Sequence, residues 1–367
     1  MKKWLAILGA FLIAGAASAQ EATVRKTTNV SIATRSEFRT LNKYVGDEDE
    51  PITMSQLSIP LAVKFAITRN LALDLLGTAI VSSADGDSLT GPRDVRARAV
   101  MMFADDRVML NAGVVAPIDK SSLDTEQLSA SAMLANRSTR FQYSNLGEGF
   151  DVSINGGVAE QFGPVVLGAG GGYIKKGEYV LTEEPEKDYL PGDQISATVG
   201  ADIASDSLLV RVDGTYKAYN PDQLDGEEVY QEDDKIAAQA IALLRSSPVQ
   251  LLVSGRYTIR RDEGLFESSS LRDSVSLYGN QVDAKAYLRF LLNDRVSMML
   301  LGDFSMIQKN KNDLNDSQLF GFGAGMTIRN NSISHFTLEG RYYIGTADDG
   351  DTTMDGFSVV CSIYLSR

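Results

Sequence analysis

Along nearly the whole chain, hydrophobic and polar residues alternate with a period of two, the pattern of strands that turn one face to an apolar medium and the other to water. Between Thr28 and Leu41, the residues Val30, Ile32, Thr34 and Phe38 share one parity, and Ser31, Arg35, Glu37 and Arg39 share the other. Leu57, Ile59, Leu61, Val63, Phe65 and Ile67 alternate with Ser58, Ala62 and Lys64 in the same way. The pattern recurs in Leu71–Leu75, Val95–Phe103, Ile195–Ile203, Val210–Tyr216, Leu251–Ile259, Val282–Phe290 and Phe357–Leu365. It is faintest in Val165–Tyr173 and Lys235–Leu244.

The connections are of two kinds. Short turns fall at Arg69-Asn70, Ala104–Arg107, Gly163-Pro164, Ser205-Asp206, Ser246–Pro248, Asn293–Arg295 and Asn330–Ser334. They alternate with longer, acidic, Gly-rich loops at Asn42–Pro51, Ser82–Pro92, Ile118–Gly147, Lys176–Asp193, Asn220–Asp234, Arg261–Gly279, Gln308–Ser317 and Gly345–Met354. Short turns at one end, long loops at the other and half-apolar strands between predict an all-β, antiparallel, up-and-down transmembrane β-barrel of about 16 strands, within a range of 14–18. A soluble β-sandwich also alternates, but it does not keep charged residues on the inner parity of so many strands. Tyr173, Tyr216, Tyr257, Phe304 and Tyr342 lie near the long-loop ends on the apolar parity, where an interfacial aromatic belt is expected. No apolar run approaches the length of about 20 residues that a spanning helix needs.

Met1–Ala19 carries Lys2 and Lys3, an apolar core from Trp4 and small residues ending Ala17-Ser18-Ala19, which together predict a cleaved signal peptide. Residues 20–367 then form a single barrel domain, expected in the outer membrane of a Gram-negative bacterium, with membrane lipid and small solutes as its partners. The 367 residues hold 35 Lys+Arg against 48 Asp+Glu, a formal net charge of −13 that grows more negative when Lys2 and Lys3 are removed. Such a chain is not a nucleic-acid binder by bulk electrostatics. A single Cys and a single His leave no intramolecular disulfide and no thiolate metal site. The acidic stretches Asp47–Glu50, Asp85-Gly86-Asp87 and Asp348–Asp351 lack calcium-loop spacing, and Gly168–Gly172 is no dinucleotide fingerprint, so neither a metal nor a cofactor is expected.

The polar parity carries the candidate chemistry. Its basic residues are Arg35, Arg39, Lys64, Arg96, Arg98, Arg211, Lys217, Lys235, Arg245, Arg256, Arg260, Lys285, Arg289, Arg329 and Arg341. Its acidic residues are fewer: Glu37, Asp74, Asp94, Asp151, Asp202, Asp213, Asp283, Asp303 and Glu339. An acidic protein would thus have a net-basic pore wall, and charged lumen residues set ion preference. The opposing expectation is that Arg and Asp pair across neighbouring strands as ladders and leave little field. Barrels of about 16 strands leave an aqueous channel where those of about eight are filled by side chains.

The longest connection, 118–147, contains the apolar, small-residue stretch Leu128–Leu134, which an external loop has little reason to carry. It is expected either to fold into the barrel as a constriction against the glycines that follow (Gly156, Gly157, Gly168, Gly170, Gly171, Gly172) or to cap the mouth. An enzyme barrel is disfavoured: His335 lies beside a short turn, has no nearby nucleophile, and reads as a membrane-facing or interfacial residue. An apolar exterior carries no mark of a subunit contact, so a homo-oligomer such as a trimer stays open beside a monomer.

Thr53–Val81 followed by Gly91-Pro92-Arg93-Asp94-Val95-Arg96-Ala97 resembles the strand-turn-strand and G-x-x-D-x-R pattern of outer-membrane channels in the superfamily of MetA-pathway phenol-degradation proteins and FadL-like long-chain fatty-acid transporters. Gly147–Tyr179 looks like the same kind of barrel hairpin. The resemblance implies an outer-membrane channel. In the order the residues support them, the readings are a passive diffusion channel with a net-basic lumen, a narrow transporter of hydrophobic or aromatic compounds, and a closed structural or adhesive barrel.

Overall fold

The computed structural model describes residues 30–46, 50–118, 122–145, 147, 149–183, 186–267, 270–275, 278–310, 316–331 and 334–366. The expected signal peptide Met1–Ala19 lies outside these residues, as do positions 47–49 of the first acidic loop. The chain begins with β1 (Val30–Val45), β2 (Ile52–Ala66), β3 (Leu71–Ala84), β4 (Asp87–Phe103) and β5 (Val108–Ala116), followed by the helix α1 (Thr125–Ala135). Next come β6 (Asp151–Phe162), β7 (Val165–Lys175) and the short pair β8 (Tyr179–Thr182) and β9 (Lys187–Leu190). The same arrangement follows in β10 (Gln194–Ala204), β11 (Leu208–Tyr219), β12 (Asp222–Leu224) and β13 (Glu227–Gln231), then in β14 (Lys235–Ser246), β15 (Val249–Arg260), β16 (Glu263–Glu267) and β17 (Ser270–Val275). The chain finishes with β18 (Gln281–Leu291), β19 (Val296–Ile307), β20 (Ser317–Asn331), β21 (Ser334–Ala347) and β22 (Thr352–Ser366).

Sixteen of these strands close into one barrel in the order β1–β7, β10, β11, β14, β15 and β18–β22, with β22 pairing back onto β1. Closure leaves no unpaired edge, which a lipid environment could not satisfy. Both weakly patterned segments are barrel strands, β7 and β14. Among the described residues no helix is long and apolar enough to cross a membrane. The apolar parity faces outward: Ile59, Ile154, Val199, Leu300, Phe322 and Phe357 are all exposed. Large apolar side chains standing outward around a closed barrel require hydrocarbon rather than water around them.

Near the long-loop end the outward tyrosines are tied to the strand ends. Tyr173 donates its phenol to Asp193, Tyr216 to Asp234 at 2.7 Å and Tyr342 to Asp355 at 3.4 Å, while Phe304 packs on Phe320 with ring centroids 4.8 Å apart. The Asp193 carboxylate also accepts the Lys176 backbone N–H at 2.9 Å. An amphipathic ring with its polar tip held at the barrel rim is what a membrane boundary favours.

Two readings of the loops need correction. Ser82–Pro92 is not a long loop: β3 and β4 run on to a two-residue turn at Asp85-Gly86, with φ of 51° and 90°. Asp-Gly is the turn that such a tight hairpin demands, and the flanking Ser, Thr and Asp residues hide a strand that carries little apolar signal. The loops at Lys176–Asp193, Asn220–Asp234 and Arg261–Gly279 contain the hairpins β8–β9, β12–β13 and β16–β17, which join edge to edge as a second, six-stranded sheet in the order β17-β16-β13-β12-β9-β8. Strands of three to six residues are too short for periodicity to reveal.

Candidate functional site: the inserted segment and the inner wall

Segment 122–145 lies against inward positions of the barrel. Asp124 caps α1 by accepting the Gln127 N–H at 2.8 Å, and the Gln127 side chain reaches back to the Asp124 N–H. Ahead of the helix, Leu123 exchanges backbone hydrogen bonds with Leu181 and Glu183 and so clips the segment to the β8 edge of the six-stranded sheet. Ala130 and Leu134 are fully buried in a cluster with Leu41, Met54, Ala84, Leu319, Tyr343, Ala347 and Met354. These come from β1, β2, β3, β20, β21 and β22, on the parity that is otherwise polar. The helix docks on an apolar patch of the inner wall.

Beyond α1 the chain is fastened at several points. The Gln56 amide donates to the Tyr143 carbonyl at 2.6 Å and accepts the Gln142 and Tyr143 N–H groups, while Arg93 donates to Asn145 at 2.8 Å and stacks on Tyr143 at 4.8 Å. Arg39 is sandwiched between Tyr343, 4.4 Å from its guanidinium, and Phe141, at 5.7 Å. Arg140 pairs with Asp283 at 3.2 Å, and Arg137 pairs with Glu232 at 3.6 Å and stacks on Tyr278 at 4.5 Å. Of the two placements expected for this connection, constriction against the glycines or cap, the described helix takes neither surface of β6–β7: its apolar contacts are with β1–β3 and β20–β22. The glycines serve their neighbours instead. Asn155, which donates to Asn111 at 2.8 Å, lies across Gly172, where a Cβ would collide with its amide.

Arg93 escaped the alternation for a specific reason. Across β3 and β4, Thr78 faces Arg93 and Leu76 faces Arg96, so Asp94 and Val95 together oppose Gly77. This β-bulge shifts parity by one residue and turns Arg93 inward beside Asp94 and Arg96. Arg137 and Arg140 were missed because they lie on no strand at all.

The inward charges fall into two groups. Some are ladders: Arg98 with Asp74 at 2.8 Å, Arg211 bidentate on Asp202 at 2.8 Å, and Arg260 with Asp233 at 3.5 Å. Arg341 bridges Asp303 at 3.0 Å and Glu339 at 2.7 Å, with Arg35 adding a longer contact to Glu339 at 3.5 Å. Arg289 donates to Ser297 at 2.9 Å, and Lys176 takes Asp151 at 2.8 Å. Asp283 accepts from Ser305 and Gln281 as well as from Arg140, and Asp94 is buried against the bulge. The others, Lys64, Arg96, Lys217, Arg256 and Lys285, make no ion pair within 4 Å among the described residues. Asp213 and Glu37 are the inward carboxylates that likewise lack one.

The Arg341 network depends on the neighbouring strand. Gly321, Gly323 and Gly325 on β20 lie beside Tyr343, Arg341 and Glu339 on β21, and a Cβ on Gly321 would stand 2.6 Å from the Tyr343 ring. Without side chains of its own, β20 lets these three lie flat across it towards Asp303 on β19.

At the long-loop end, Asp233 and Glu263 are almost wholly buried, each with one carboxylate oxygen lacking a hydrogen-bond partner. Arg137, Lys235 and Arg260 face Asp233, and Arg137, Tyr230, Asp233 and Glu232 face Glu263. Burial pushes both carboxyls, and that of Asp222 in β12, above the ordinary carboxylate range. It also pushes up the phenols of Tyr189 and Tyr230, which stay protonated as donors to Asp222 and Glu263. A carboxyl whose pKa is raised by folding stabilises the fold fully below its unfolded value and loses that contribution as pH rises through the folded one. Amides of β12–β16 are therefore expected to gain protection, after correction for intrinsic exchange rates, between neutral pH and about pH 5. Asp233→Asn with Glu263→Gln should flatten that dependence, and unchanged dependence in the double variant would refute this account.

His335 is not membrane-facing. It shares the inward parity of Glu339 and Arg341 and stacks on Tyr364 with ring centroids 5.1 Å apart.

The chain matches no family model and no curated protein sequence. Among solved structures, the high-pH form of OprB from Pseudomonas putida superposes with a TM-score of 0.54 at 7% identity, over 92% of this chain and 94% of that one. A BenF-like porin from Pseudomonas fluorescens gives 0.45 at 9% identity, over 93% and 99%. OmpT expressed in the outer membrane of Vibrio cholerae gives 0.39 at 10% identity, over 94% and 100%. At such identities the likeness is one of fold, and of these three the OprB superposition is the one that bears weight. Together with the closed ladder and its apolar belt, it gives this chain the fold of a sixteen-stranded porin-type outer-membrane β-barrel.

Proposed function

We propose that the protein is a channel for passive diffusion of small solutes, with a mild preference for anions. The observation that carries this reading is the uneven pairing of the inward charges. Among the described residues Lys64, Arg96, Lys217, Arg256 and Lys285 lack an ion pair, against Asp213 and Glu37 among the inward carboxylates. Paired ladders contribute little field, so the unpaired cations set the sign of the potential in the passage. A wall of sixteen strands is wide enough for water to pass. Segment 122–145 seats its helix on β1–β3 and β20–β22 and reaches across to β8 through Leu123 and to Glu232 through Arg137, which makes the segment the constriction of the passage. Its many fastenings make that constriction fixed rather than gated.

The test is the reversal potential of single channels under a salt gradient. The expected sign is that of chloride preference, reduced when Arg96 and Arg256 are replaced by Gln. Cation preference in the wild-type channel would overturn the proposal.

A further inference from the structure

Cross-strand register sets three cations side by side on the inner wall: Lys217 on β11 faces Lys235 on β14, and Lys235 faces Arg260 on β15. Like charges directly opposite one another repel, so this row needs compensation. It receives it at one end only. Glu232 and Asp233 pair with Lys235, and Asp233 also pairs with Arg260, whereas Lys217 has no ion pair. One row further in stand Thr215, Ala237 and Thr258, and the row beyond holds Asp213, Gln239 and Arg256. Arg256 is exposed to the lumen, and its guanidinium is the strongest charge acting on the Lys217 ammonium.

We infer that Lys217 and Arg256 form a binding subsite for small multivalent oxyanions, the class of phosphate and short dicarboxylates. This inference rests on the channel reading and names the solutes that pause in it. Two cations at opposite corners of a patch suit an anion with oxygens on two sides, and charge-assisted hydrogen bonds to both would hold it. Ala237 gives the patch a floor with no side chain beyond Cβ. The amide of Gln239, in the same row as Arg256, supplies a neutral donor beside it. Nearby carboxylates are engaged elsewhere: Glu232 with Lys235 and Arg137, and Asp283 with Arg140, Ser305 and Gln281. Asp213 offsets one of the two positive charges and leaves the patch net positive. Arg137 of the inserted segment reaches Glu232 beside this row, so the subsite lies where the segment narrows the passage.

Calorimetric titration of the detergent-solubilised full chain with inorganic phosphate, and separately with succinate, tests the subsite without reference to conduction. Saturable binding is expected, one anion per chain, weakened about tenfold by Lys217→Gln and by Arg256→Gln. Lys309→Gln makes the same change in net charge in a loop, and it should leave the affinity as it was. No saturable binding, or an equal loss in all three variants, would overturn the inference. Binding by a barrel that passes no current would keep the subsite and defeat the channel reading, and current without saturable binding would do the reverse.

Discussion

Excising Asp124–Asn136 and bridging the gap with glycines is expected to raise single-channel conductance about twofold or more, because current through a water-filled barrel scales with its narrowest cross-section. The segment turns inward from the strand ladder, and α1 contributes its bulk. The deletion also uncovers Leu41, Met54, Leu319 and Met354 to water, so the variant should fold with lower yield. Conductance must therefore be read from single channels rather than from bulk current. A control that keeps the segment but loosens it, Arg39→Leu, removes the cation held between Phe141 and Tyr343 and should add current noise without a comparable rise in mean conductance. Unchanged conductance in the folded deletion variant would mean that the segment does not define the constriction.

Replacing Arg341 with Met is expected to be the most damaging single change in the wall. Asp303 and Glu339 are both buried, and Arg341 is the cation that bridges them. Removing one partner from such a set leaves uncompensated buried charge, at a cost of about 3–5 kcal/mol. The opposing Lys285, whose charge also acts on Asp303, offsets part of that loss. Neutralising the set together, with Arg341→Met, Asp303→Asn and Glu339→Gln, should restore most of the stability, since hydrogen-bonding neutral groups do not carry the same desolvation cost. Urea unfolding of the refolded barrel measures both. If the single and triple variants unfold at the same concentration, the network is not held by charge compensation.

The barrel is legible in the sequence because lipid imposes a strict rule. Every outward side chain must be apolar, so Leu57 to Ile67 or Phe357 to Leu365 announce their parity without help from the rest of the chain. Where that rule lapses, so does the signal. Beyond the hydrocarbon zone, Ser82–Thr90 forms ladder with no apolar face to show, and β13 and β16 take their pairing from one another rather than from a buried stripe. The lumen charges are legible as a set, since parity alone selects them, but their pairing is not. Arg211 finds Asp202 through register between strands, whereas Arg256 stands opposite Asp283 and loses it to Arg140 of the inserted segment, and no single segment encodes either outcome. Arg93 needed the bulge at Gly77 and the seat for α1 needed closure of β1 onto β22, both of them properties of pairs of strands.

On the proposed function, the inserted segment leaves a water-filled passage through the barrel. Current through the refolded wild-type chain in a planar bilayer tests it most directly. Steady, ohmic unitary steps that persist when small organic solutes are added are the expected result. A barrel that is folded by its heat-modifiable mobility yet electrically silent would contradict it.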